Sequence, residues 1–256
     1  MLLLSGWKRK VVLANLNYCR LSPGPFFRLR LCFSLSLDAL RFLHGKYGGR
    51  IYLTPQDTAK FTEMKSASSL LLTAHFHHWE AMGAWLESQG IGLLSAALPL
   101  KSPWAQAWIE RRRHKQRIPV VYSKIPRTAL AHMQGGHCFA LLWDQHSPGR
   151  QISRFFGQPV GMNPLPAFLT RHTQAPVFLA LLMPTGRLRI FRLRALGKSS
   201  QALANRYHRL LEKVIAAYPT YWYGFTHNRF QKLKPSPTQI AVSCETKLGF
   251  PVSRET

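Results

Sequence analysis

The stretch Leu70-Leu-Leu-Thr-Ala-His-Phe-His-His-Trp-Glu80 reads as a buried apolar strand that runs through three histidines into the first turn of a helix. Sites in α/β folds lie at such strand ends. With His75 closing the strand and Glu80 in the first helical turn, the four residues between them make a corner tight enough to bring carboxylate and imidazole together. Such a pair makes a general base. The carboxylate fixes the ring's tautomer and stabilises the imidazolium formed when the other nitrogen takes a proton, so a hydroxyl held there becomes a nucleophile. The same spacing also suits a plainer arrangement, in which Glu80 complements the positive end of the helix and the histidines are ordinary polar turn residues.

Outward from this corner, short apolar runs bounded by Gly, Pro and Ser alternate with helical stretches, the pattern of an α/β sheet and not of a bundle. Strands are expected at 51–53, 70–73, 92–97, 120–122, 138–143, 177–182 and 188–193, with helices at 58–65, 79–88, 103–117, 126–133, 164–172 and 199–217. Residues 8–49 read as a helical hairpin broken at Ser22-Pro-Gly-Pro25, with Phe26, Leu29, Phe33, Leu37, Leu40 and Leu43 at helical spacing. The expected architecture is α/β: a central, mostly parallel or mixed sheet flanked by helices and preceded by that hairpin. Residues 1–50 form the helical segment, with a possible membrane contact, 51–234 the α/β domain, and 235–256 a loosely ordered polar tail.

Of 256 residues, 35 are Lys or Arg and 10 are Asp or Glu, a net charge of +25, while 46% are hydrophobic. That balance excludes a disordered polycation, because a core can be buried. It favours anionic partners without choosing among phospholipid, nucleic acid and an acidic protein. The four cysteines are far apart and lack metal-ligand spacing, so reduced thiols on a cytosolic face are expected. The longest apolar run, 175–183, is too short and too broken by proline to span a bilayer, and the apolar residues of the first segment precede its basic ones, the reverse of a signal peptide.

Three histidines near a carboxylate also invite a metal reading through His75, His77, His78 and Glu80. Such sites need an aspartate and further ligands from later loops. Here position 79 is Trp79, and the later Asp/His combinations reduce to Asp144 with His146, so the ligand set does not close and neither a metal nor a cofactor is expected.

The box His75-Phe-x-x-Trp-Glu80, an H-x4-E motif, resembles that of the lysophospholipid acyltransferases, in particular the bacterial lipid A late acyltransferases. Further segments follow in the same order. Lys10-Val-Val-Leu-Ala-Asn15-Leu16 resembles the family's early Val-Ala-x-x-Asn-Leu, and the helix from Ser102-Pro103 to Glu110-Arg-Arg-Arg113 resembles one that ends in a functional arginine. Arg127 to Gly136 resembles a helix ending in Gly-Gly. Asp144-Gln145, Phe155-Phe-Gly-Gln-Pro159, Thr173-Gln-Ala-Pro-Val177 and Tyr218-Pro219 with Trp222 complete the series, over roughly residues 8–230. The chain departs from the pattern at His77-His78, where the family usually has Gly-Asn, and at Leu165-Pro166 and Thr226-His-Asn-Arg-Phe230. The family's N-terminal membrane helix is not seen, so the resemblance implies peripheral attachment or a start that lies outside this sequence.

The resemblance implies one-step acyl transfer from an acyl carrier protein thioester to a hydroxyl of a membrane lipid such as a lipid A precursor, at the cytoplasmic face of the bacterial inner membrane. His75 would take the hydroxyl's proton and Glu80 would orient it. Arg113, with Arg112 beside it, would stabilise the oxyanion or hold an acceptor phosphate, and Asp144 would order that arginine or the floor of the site. The positive charge would serve the anionic bilayer surface and the acidic carrier protein. Trp7-Lys-Arg-Lys10, and Tyr218, Tyr221, Trp222, Tyr223 and Phe225 beside Arg229, have the make-up of an interfacial anchor, with core packing the alternative for the aromatics. The stripe Trp104, Ala107, Trp108 reads as helix packing, with the lining of an acyl groove the alternative. Two other readings compete: an inactive lipid-binding relative retired by its His-His turn, and a basic nucleic-acid-binding protein, which would leave the ordered motifs without a purpose and is not expected.

Overall fold

The computed structural model describes residues 6–44, 50–145, 147, 152–194 and 200–227. The segments read as the polar tail, His146, Arg229 and the side chains of Trp7 and Lys8 lie outside the described residues, as does Cys244. The elements run α1 (Gly6–Tyr18), α2 (Phe27–His44), α3 (Pro55–Ser66), β1 (Ser69–Thr73), α4 (Trp79–Ser88), β2 (Leu93–Ala96), α5 (Pro103–Lys115), β3 (Val120–Val121), α6 (Ile125–Gln134), β4 (Cys138–Leu142), β5 (Ile152–Phe155), β6 (Gln158–Gly161), α7 (Leu165–Thr173), β7 (Val177–Leu182), β8 (Leu188–Arg192) and α8 (Ser200–Ala217). Two short 3-10 turns, Pro219–Tyr221 and Tyr223–Thr226, close the described chain.

Six strands form one sheet in the order β3-β2-β4-β1-β7-β8, parallel except for β8, which returns antiparallel along β7. The central strands are buried along their whole length, as strands covered on both faces must be. Their alternation divides two cores. In β1, Leu70 and Leu72 face a layer containing Met133 of α6, Leu169 of α7 and Leu211 of α8, while Leu71 faces Met64 of α3 and Met82 of α4. Val12 and Leu16 of α1 and Phe27 and Leu31 of α2 join the first of these cores, next to Trp222 and Phe225. The expected α/β class, with its mostly parallel sheet and leading helical hairpin, is therefore the fold observed.

Two expectations are corrected. Residues 51–53 make only an isolated bridge, Tyr52 with Arg187, because Pro55 starts α3 two residues later and leaves no length for a strand. The hairpin β5–β6 is an addition. Its two-residue turn, Phe156-Gly157, holds both φ angles positive at 49° and 74°, the geometry that matches strand twist.

Candidate active site

Because β1 and β4 are parallel neighbours, Thr73 lies opposite Leu142, and the chain leaves both strands in step. Two residues further on, His75 and Asp144 stand side by side. His75 Nδ1 is 2.7 Å from Asp144 Oδ1, and the His75 backbone N–H donates to Oδ2 at 3.0 Å. The indole N–H of Trp222, itself wholly buried, donates to the same Oδ2 at 2.9 Å. An ionised carboxylate only accepts, so this contact places the ring proton on Nδ1 and leaves Nε2 able to take another. Gln145 Nε2 is 3.4 Å from that nitrogen.

The turn after β1 is tied to the end of the described chain. Tyr223 N–H donates to the His75 carbonyl and His77 N–H to the Tyr221 carbonyl, both at 2.8 Å, and Phe76 bridges Trp222. His77 has φ +47°, left-handed backbone that a side chain makes costly by about 1–2 kcal/mol. Both His77 and His78 are buried against Asp38 of α2, at 3.5 and 3.1 Å, and Arg41 Nη1 lies 2.6 Å from His78 Nε2. Burial, helped by the charges of His77 and Arg41 and opposed by Asp38, pushes His78 down to about 4, so its ring is neutral at neutral pH.

Glu80, in the first turn of α4, bonds to Arg113 of α5 at 2.6 Å, and Arg113 also donates to Tyr122 Oη at 3.0 Å. Burial works against the guanidinium's charge, but Glu80 and Tyr122 outweigh it and hold its pKa above the usual range. Asp38, His75, His77, His78, Glu80 and Arg113 all line a cavity of about 940 Å³. His75, Glu80 and Arg113 line its polar wall, and Leu98, Ile109, Ile125, Leu141, Trp143 and Leu165 line much of the rest.

A family model described as bacterial lipid A biosynthesis acyltransferase matches residues 46–232. The chain belongs to that family. It is therefore an acyltransferase of the lipid A type. No curated protein matches it.

Seen as an acyltransferase, the chain places its expected site residues unevenly. His75, Glu80 and Arg113 line one cavity, but the expected partnership of His75 with Glu80 is corrected. The helical turn carries Glu80 toward α5, where Arg113 meets it, while strand register has already put Asp144 on His75. Among the described residues, Asp144 consequently holds His75 and Trp222 and does not bond to Arg112 or Arg113. Arg112 points elsewhere and donates to the Phe42 carbonyl at 3.3 Å, which Gln116 also caps at 3.0 Å, satisfying the C-terminal end of α2. Trp222 and Phe225 are core residues with no exposed surface, as the packing alternative for these aromatics has it, because Trp222 supports Asp144 and both pack under α1 and α2.

Trp104 is 73% exposed, so the stripe read as helix packing holds only at Trp108, which meets Phe42 edge-on at 6.3 Å. Asp38, Tyr122 and the supporting role of Trp222 escaped the sequence reading. For the His75–Asp144 contact a signal was present: two apolar runs each followed two residues later, one by His and the other by Asp.

Proposed function

We propose that the protein transfers a fatty acyl group from an acyl carrier protein thioester directly to a hydroxyl of a lipid A precursor or a related glycolipid, without an acyl-enzyme. The observation that carries the mechanism is the 2.7 Å contact between His75 Nδ1 and Asp144, which leaves Nε2 as the base at the cavity. Nε2 takes the acceptor hydroxyl's proton as the oxygen attacks the thioester carbonyl, and Asp144 stabilises the imidazolium. The tetrahedral intermediate collapses with loss of the carrier thiolate, which recovers the proton from His75.

Arg113 supplies a fixed positive charge on the cavity wall for the developing oxyanion or an acceptor phosphate. Glu80 acts through it as a positioning residue. The apolar wall between Leu98 and Leu165 accommodates the acyl chain.

Peripheral attachment at the cytoplasmic face of the inner membrane is supported by the outward stripe of Phe26, just before α2, and Leu29, Phe33, Leu40 and Leu43 along it, exposed between 40% and 68%. No helix among the described residues is long and apolar enough to cross a membrane. With basic residues around it, such a face suits an anionic bilayer surface, and the same charge suits an acidic carrier protein.

The test is acyl transfer from carrier-protein thioesters to a panel of lipid acceptors in mixed micelles. Transfer that falls at least a hundredfold in both His75→Ala and Asp144→Asn supports the reading. Transfer that survives loss of His75 overturns the mechanism.

A further inference from the structure

The aspartate that a metal site at the histidine turn lacks in the local sequence is supplied from elsewhere in the fold. Asp38 is the sole acid among the first 56 residues of a strongly basic chain, and α2 brings it against His77 and His78, 39 and 40 positions later. One ligand atom from each of the three lies within 4.8 Å of the others. The Asp38 oxygen sits 3.5 Å from His77 Nδ1 and 3.1 Å from His78 Nδ1. Ligands bound tetrahedrally at 2.0–2.2 Å lie about 3.3–3.6 Å apart, so the 3.5 Å separation is already that of a coordination edge and the 3.1 Å one needs to open by only about 0.2 Å.

Hydrogen bonding accounts for His78, through Arg41, but not for the rest of this cluster. His77 Nδ1 and Asp38 Oδ2 are buried polar atoms with no hydrogen-bond partner, on side chains only 9% and 10% exposed. Leaving a buried acceptor unmade is costly. The cluster also opens on the cavity that His75 lines, giving a route for an ion and a position for a further ligand. His77 holds its ring here at a left-handed φ that glycine would occupy without strain.

We infer that Asp38, His77 and His78 form a binding site for a zinc-class divalent cation that clamps α2 to the turn following β1. Two imidazoles and a carboxylate suit zinc, cobalt(II) or nickel(II) better than the hard ions that prefer all-oxygen shells. His78 binds through Nδ1 with its proton moved to Nε2, which then donates and no longer accepts. Arg41 Nη1 at 2.6 Å must therefore swing off the ring when the ion enters, so Arg41 competes with the metal. The site lies beside the proposed base and does not include it, so metal binding is read out independently of acyl transfer.

The experiment titrates the full chain with Co²⁺ and Zn²⁺ after exhaustive chelator dialysis, following Co²⁺ visible absorption and thermal melting. The expected result is one saturable equivalent with the intense bands of a tetrahedral N/O site and a raised melting temperature in Zn²⁺. His77→Gly relieves the backbone strain and keeps the fold while removing a ligand, so it should melt at or above the metal-free parent yet bind at least about tenfold more weakly. Asp38→Asn should weaken binding in the same way, and Arg41→Gln should tighten it. A thiolate-to-cobalt charge-transfer band, binding that does not saturate at one equivalent, or an undiminished affinity in His77→Gly would overturn the inference.

Discussion

His75 and Asp144 are 69 residues apart in the chain, the same offset that relates every paired residue of β1 and β4. The contact between them is therefore a continuation of sheet register past the ends of two strands. Its geometry follows from the packing of the sheet, with Trp222 and Tyr223 holding the two residues from the closing turns.

Asp144→Asn should reduce kcat by about 10²–10⁴-fold with little change in KM, because the amide no longer fixes the tautomer or stabilises the imidazolium. Glu80→Gln, which touches Arg113 and not His75, should lose much less. Steady-state kinetics on the same thioester and acceptor compares the two. An equal loss in both variants would return Glu80 to the role of His75's partner.

The Glu80–Arg113 pair has both side chains about five-sixths buried, at 16% and 15% exposure. Removing one partner strands the other charge, so Glu80→Ala and Arg113→Ala should each lower unfolding free energy by about 3 kcal/mol. The double variant should lose clearly less than the sum. Urea unfolding of all four proteins closes the cycle.

Asp57 and Glu212 predict opposite responses to pH. Asp57 is buried, which raises its pKa, but hydrogen bonds from Thr54, Arg187 and the Ile190 N–H, with the charge of Arg187, pull harder and leave it below the ordinary value. Its stabilisation is complete above the unfolded pKa of about 3.9 and is lost as pH falls through the folded value. Glu212 is raised, since burial exceeds the help of the Phe156 N–H and Arg209. Its contribution is present below the unfolded pKa of about 4.3 and is lost as pH rises through the folded value. Urea midpoints at neutral pH should thus fall in Asp57→Asn and rise or hold in Glu212→Gln, whose carbonyl still accepts from Phe156. Both effects should shrink at about pH 2.5.

Gly186 and Gly157 separate two costs of adding a methyl group. Both have positive φ, +85° and +74°. A Cβ on Gly186 would lie 2.5 Å from the Arg50 carbonyl oxygen, whereas one on Gly157 meets nothing within 4 Å. Gly157→Ala should cost about 1–2 kcal/mol from backbone strain alone, and Gly186→Ala should cost more because the backbone at Arg50 must also move. Denaturant midpoints rank them.

Much of the fold was legible because its signals are local. β7 and α4 have the bounds expected from composition and turn residues, and the other expected helices differ by a few residues at their ends. The β5–β6 hairpin was missed because Pro159 argues against a strand and Phe156 is not the Asn or Gly that usually marks such a turn.

In the site, the local half could be read and the distant half could not. His75, Glu80 and Arg113 stand out by type and position, but their pairing depends on which strands are neighbours and which way α4 leaves the turn. Asp38 gave no sign at all. It is brought to the histidines by the hairpin's docking on the shared core, and nothing in its own surroundings in the sequence marks it.

The in-phase exit of β1 and β4 also makes His75–Asp144 a late event in folding. The pair closes a loop spanning 69 positions and containing α4, β2, α5, β3, α6 and β4. Local helices can form long before that loop is closed, but the base cannot be assembled until the two strands have found each other. On refolding, recovery of transfer activity should therefore lag helix formation and keep pace with the pairing of these two central strands.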